Sequence, residues 1–165
     1  AACAHVENML HDSHQNAYDL ASRALGLNQT NPLAWSTLGV ASAFLGDPKT
    51  GRQATKMGAR LADKARYRAQ LEILASSASL VDGDVKGALS HAEKSHQKSP
   101  MYAPPLRFLS AIYHHNGMSE QAVSAVEKLK AQEPDFDLGR LREDGYPSES
   151  LRKAKLLDTV QRRET

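Results

Sequence analysis

GDVKGALSHAEKSHQKSP (residues 83–100) lies over GMSEQAVSAVEKLKAQEP (residues 117–134) without a gap. Gly83 matches Gly117, Ala88 matches Ala122 and Pro100 matches Pro134, each pair 34 residues apart. A fixed period of this size is the mark of a supersecondary unit repeated along the chain. Upstream, NPLAWSTLGVASAFLGD (31–47) sets Trp35, Leu38 and Gly39 ahead of Gly46, which precedes Gly83 by 37 residues. Apolar residues recur three and four apart and β-type alternation is nearly absent, so the units are helical. The pattern predicts an all-α chain with helices near 2–11, 14–27, 32–45, 48–62, 67–82, 85–98, 103–116 and 119–132. Asn31 before Pro32, and Asp47 before Pro48, supply a cap residue followed by proline in the first helical turn.

The W-x2-L-G spacing, the period and the closing proline resemble the tetratricopeptide repeat, a helix–turn–helix unit of about 34 residues. The resemblance implies a right-handed solenoid of antiparallel helix pairs. Residues 1–134 would form the array: a partial unit over 1–31, then 32–68, 69–102 and 103–134. Gly39, Ser76 and Ser110 fill the small-residue slot of each first helix, and Ala88 and Ala122 fill that of the second. Glu72 departs from the large-residue slot held by Trp35 and Leu106. Residues 135–165 would hold a short helix, a turn and a C-terminal capping helix with an apolar stripe of Leu151, Ala154, Leu157 and Val160, since an array needs its open end sealed.

In this family the first helices line a groove that receives a peptide. Carried over slot by slot, its walls are Val6, Met9 and Leu10, then Ser36, Val40 and Phe44. Ile73, Ser77, Leu80 and Val81 follow, with Arg107, Ala111, His114 and His115 making a basic and imidazole end. These positions read as a docking groove, or else some of them are simply core or are covered by the chain's own tail. The lysine and asparagine with which chaperone-binding members clamp a carboxylate are replaced by Ala2 and Val6, which speaks against a heat-shock co-chaperone.

A narrower similarity covers about the last hundred residues. The extended turn before Tyr67, LRFLSAIYHHNG, and EPDFDL leading to a YP turn resemble the repeat region behind bacterial class III adenylate or guanylate cyclases. The same features resemble the region behind the winged-helix domain of some transcriptional activators. This implies a regulatory module from a larger bacterial signalling protein, and carries over neither cyclase nor DNA-binding residues.

Other chemistry is weakly signalled. FLGDPKTGRQAT (44–55) has the outline of a phosphate-binding loop, but Arg52 and Gln53 replace its lysine and hydroxyl, and a helix precedes it where a strand belongs. The recurrence of Gly-Asp at 83–84 makes it a hairpin turn. His5, His11 and His14 lack further ligands, so no metal is expected. Ser110 and His114 lack the third, orienting group of a triad, and no catalytic residue or cofactor is expected. With 21 basic and 19 acidic residues the net charge is +2, which gives no bulk attraction to nucleic acid or lipid. A basic stripe of Lys49, Arg52, Lys56 and Arg60, extended by Lys64, Arg66 and Arg68, reads as a solvated face or as a docking surface for an acidic partner or nucleic acid. The single cysteine, Cys3, and the lack of a membrane-length apolar run lead to the expectation of a cytoplasmic protein. The start at Ala1, without methionine and inside a helical pattern, leads to that of a piece excised from a longer chain. The expected role is non-catalytic contact with a protein or peptide partner, with self-association as the alternative.

Overall fold

In the computed structural model residues 14–62, 67–143, 146 and 148–161 are described, and among them the chain is entirely helical. Seven helices form hairpins: α1 (His14–Leu27), α2 (Pro32–Phe44), α3 (Pro48–Leu61), α4 (Arg68–Val81), α5 (Val85–Lys98), α6 (Ala103–His115) and α7 (Ser119–Lys130). A 3-10 turn (Leu138–Arg142) and a short α8 (Glu149–Lys153) complete it. The predicted boundaries agree to within two residues for all seven. The expected helix over 2–11 lies outside the described residues, as do residues 63–66 of the extended turn over 61–69.

The caps act as their chemistry requires. Asn31 Oδ1 accepts from the amides of Leu33 and Ala34, both at 3.1 Å. Asp47 and Asp84 do the same for Thr50 and Gly87 at 3.1 and 2.9 Å. Each of these bonds satisfies an amide left unpaired at a helix start. At the other ends, α2, α4 and α6 stop in one repeated motif. Gly46 and Gly83 take φ of +104° and +77°, which a side chain would oppose. The residue after each returns its amide to the carbonyl five positions back: Asp47 to Ser42, Asp84 to Ser79 and, after Gly117, Met118 to Tyr113, all at 2.9 Å.

The hairpins pack α2 on α3, α4 on α5 and α6 on α7, with α1 on α2, α3 on α4, α2 on α4 and α5 on α6 joining neighbours. Small residues set the closest approaches. A Cβ on Gly39 would fall 2.5 Å from the carbonyl of Gly51, and one on Gly58 would fall 2.6 Å from that of Pro32. In the next hairpin Ser76 Oγ donates to Ala88 O (2.8 Å) and Ser95 Oγ to Ala69 O (2.7 Å). Contacts that advance on one helix as they retreat on the other make both pairs antiparallel.

The C-terminal segment departs from the expected amphipathic helix. α8 is five residues long and ends where Lys155 adopts φ +59°. The Lys155 amide then bonds Arg152 O (2.9 Å) and the Leu156 amide bonds Leu151 O (3.1 Å), the same helix-ending motif as at the glycines. The chain continues in turns to Val160. Of the expected stripe, Leu151, Leu157 and Val160 are buried and Ala154 packs at the edge of the core, but Leu156 joins them because the turn at Lys155 rotates it inward.

Candidate functional site

The face made by α2, α4 and α6, the first helix of each hairpin, carries the predicted groove residues. Val6, Met9 and Leu10 lie outside the described residues. Ser36, Val40, Ile73, Leu80 and Ala111 are buried and form no open wall. Phe44, Ser77, Val81, Arg107 and His114 are half-buried, and His115 is exposed. Two causes account for this. Ser36 and Val40 are buried between α2 and its neighbours, Ser36 at the Gly58 crossing and Val40 with Leu71, Leu74 and Ala78. Ile73, Leu80 and Ala111 instead share one core with the tail residues Leu151, Leu156, Leu157 and Val160, and α8 packs on α4. The tail thus lies over the α4 and α6 part of this face, and the α2 part is core between hairpins.

Polar contacts fasten that cover. Lys153 Nζ donates to Phe44 O at 3.2 Å and stands 5.0 Å over the Phe44 ring. The other side of that helix end is taken by His14, whose ring stacks on Phe44 with centroids 4.3 Å apart and whose Nε2 lies 3.2 Å from Glu149 Oε1. Farther along, the Arg142 guanidinium, carried by the 3-10 turn, donates to Leu157 O and Val160 O, each at 2.8 Å.

Arg107, expected to give the groove polar direction, is engaged internally. It bonds the Glu133 carboxylate through Nε (3.0 Å) and a terminal nitrogen, and lies 5.0 Å over the Tyr146 ring, whose hydroxyl donates to Glu133 at 2.6 Å. Burial alone would raise the Glu133 pKa, but the bonds from Tyr146 and Arg107 outweigh it and hold the carboxyl below its ordinary value. Burial and Glu133 push the Tyr146 phenol well above its ordinary value. This strut ties α6 to the segment that leads into the tail. Beside it His114, Asp137, Leu138, Thr159, Val160 and Gln161 line an open concavity of about 500 Å³.

Glu72, the residue out of pattern, is 1 % exposed. Its carboxylate accepts from Arg68 Nε (2.8 Å) and lies 2.7 Å from His91 Nδ1 across the hairpin. Desolvation opposes its charge most, yet the bonds from His91 and Arg68 win and the carboxyl sits below its ordinary pKa. The polar residue in an apolar slot is thus explained by two partners, one of them 19 positions away and invisible to local spacing.

Elsewhere, Lys49, Lys56 and Arg60 are exposed on α3, whereas Arg52 bridges to Asp82 (3.2 Å) and Asp84 (3.0 Å) of the following hairpin turn. On α3 the stripe therefore presents three cations and uses Arg52 to pack α3 beside α4; Lys64 and Arg66 lie outside the described residues, and Arg68 bonds Glu72. A cleft of about 360 Å³ opens between α5, α6 and α7 over Leu106, Leu109 and Ala125, with His96 and Lys128 at its rim. Burial, with Lys128 nearby, lowers the His96 pKa. Ser110 Oγ is turned back to Arg107 O at 2.9 Å, so it is not poised on His114. Among the described residues no three histidine, cysteine or acidic side chains converge as metal ligands, and no helix is long and apolar enough to cross a membrane.

No protein-family model matches the chain, and no curated protein matches it.

Proposed function

We propose that the chain is a tetratricopeptide-like solenoid that works as a non-catalytic, partner-binding module of a larger bacterial signalling or regulatory protein. The hairpin period, the repeated glycine ends and the small-residue crossings support the solenoid. The observation that carries the binding role is the tail itself: an amphipathic segment with Leu151, Leu156 and Leu157 against α4 and α6 occupies the face where relatives of this architecture would take a peptide. The partner is a helical or turn-rich apolar segment that takes the place of the tail, meeting Phe44 where Lys153 now lies and the His114–His115 corner at the other end.

Selection of peptides that bind the full chain from a displayed library tests this. Apolar helix-forming sequences whose binding is lost in Phe44→Ala and His114→Glu, and kept in Lys56→Glu, are expected. Ligands that depend on Lys56 and not on Phe44, or the failure of any peptide to bind, would contradict it.

Self-association is a second reading, favoured by one observation. Leu20 and Leu27, seven apart on one face of α1, are 42 % and 92 % exposed. Sedimentation equilibrium should then give a dimer that Leu20→Glu dissociates, and a monomer at all concentrations would remove this reading.

A further inference from the structure

The tail is built differently from the helices it covers. α4 is tied to α5 by Ser76, Ser95 and the buried Glu72 carboxylate, all bonded across the hairpin. Residues 149–160 contain one short helix, a left-handed lysine and a few turn bonds, and two of their polar ties lie at solvent-accessible edges: the Glu149 side chain is 39 % exposed where it meets His14, and Lys153 is exposed where it meets Phe44. Beyond Lys155 the carbonyls of Leu157 and Val160 are held by Arg142, which belongs to the preceding 3-10 turn. A segment with few regular bonds is the kind that opens apart from the rest of a fold.

We infer that residues 149–160 are a self-ligand, a strap that opens as a unit and so governs access to the α2–α4–α6 face. This rests on the reading of that face as a docking surface. The strap also specifies its competitor: a segment with an acidic residue, a basic residue four later to reach Phe44, and an apolar pair three and four beyond that, as in Glu149, Lys153, Leu156 and Leu157. The competing segment wins only by making these contacts better than the strap does, since a ligand shifts such an equilibrium by its differential affinity alone.

Native-state hydrogen exchange on the full chain, followed residue by residue at rising urea, reads the opening directly. The amides of Leu156 and Val160 are expected to exchange about tenfold or more faster than those of Leu74 and Ile112, through an opening less urea-dependent than global unfolding. Arg142→Ala is expected to speed the tail about tenfold again and leave α4 and α6 unchanged, and Glu149→Gln should act in the same direction. Tail amides that exchange with the core under all conditions, or an Arg142→Ala variant that loses protection everywhere, would overturn the strap while leaving the docking surface standing. A fluorescein-labelled peptide of residues 146–161 separates the two ideas: it should bind Arg142→Ala about tenfold tighter than the unaltered chain, the gain following the open fraction. A strap that opens yet admits no peptide would overturn both.

Discussion

The carbonyl oxygen of Gly51 on α3 stands where a side chain on Gly39 of α2 would begin: a Cβ there would lie 2.5 Å from it. Two helices cross backbone to backbone, and the neighbouring Thr55 closes the same space at 2.7 Å. Because the obstacle is main chain, it cannot move aside cheaply. Gly39→Ala is expected to destabilise the protein by about 1–3 kcal/mol, the range for overpacking. Gly46→Ala has nothing within 4 Å and only an unfavourable φ to bear, so about 1 kcal/mol is expected. Urea unfolding by circular dichroism compares them, and an equal or reversed order would contradict the crossing.

Glu72 makes stability depend on acid. Its carboxyl lies below the ordinary 4.5, so the folded state favours the charged form. That contribution is complete above about 4.5 and is lost as pH falls through the lower folded-state value. Glu133 acts in the same direction. Glu72→Gln should cost about 2–3 kcal/mol near pH 7, slightly under the range for a fully buried pair because Arg68 and His91 keep some contact with water. The melting-temperature gap between the two proteins should narrow from pH 6 to pH 3. A constant gap would show that the charge is not what Glu72 contributes.

Lys155 sits in a conformation that glycine adopts freely. Lys155→Gly should therefore stabilise the protein by about 1 kcal/mol, offset in part by the greater freedom of glycine when unfolded. A rise in melting temperature checks this, and a fall would mean that the lysine side chain makes contacts that outweigh the strain.

Arg52 joins successive hairpins through Asp82 and Asp84 at a partly exposed site. Arg52→Ala should cost under about 1 kcal/mol, and the loss should shrink in high salt. A cost several times larger and independent of salt would make Arg52 a packing residue.

The helical hairpins were legible because local signals repeat. Asn31 and Asp47 before proline, the glycines at 46, 83 and 117, and the small residues at 39, 76 and 110 each act within one turn or one crossing. The candidate site was only half legible. The sequence placed Ile73, Leu80 and Ala111 on one face but could not show that the tail covers them, since that depends on contacts such as Lys153 with Phe44 across 109 positions. The helix expected after Ser150 failed for a local reason: nothing in ESLRKAKLLD marks Lys155 as the stop that glycine marks elsewhere. Glu72 looked like a fault in the pattern until His91 and Arg68 supplied its partners.

The C-terminal segment lies on the first-helix face, and proton NMR of the full chain tests this at one place. Ring currents from Phe44 should move the ε-methylene protons of Lys153 upfield, and both Lys153 and His14 should show nuclear Overhauser contacts to the Phe44 ring. Lys153 at random-coil shifts, with no contact to that ring, would contradict it.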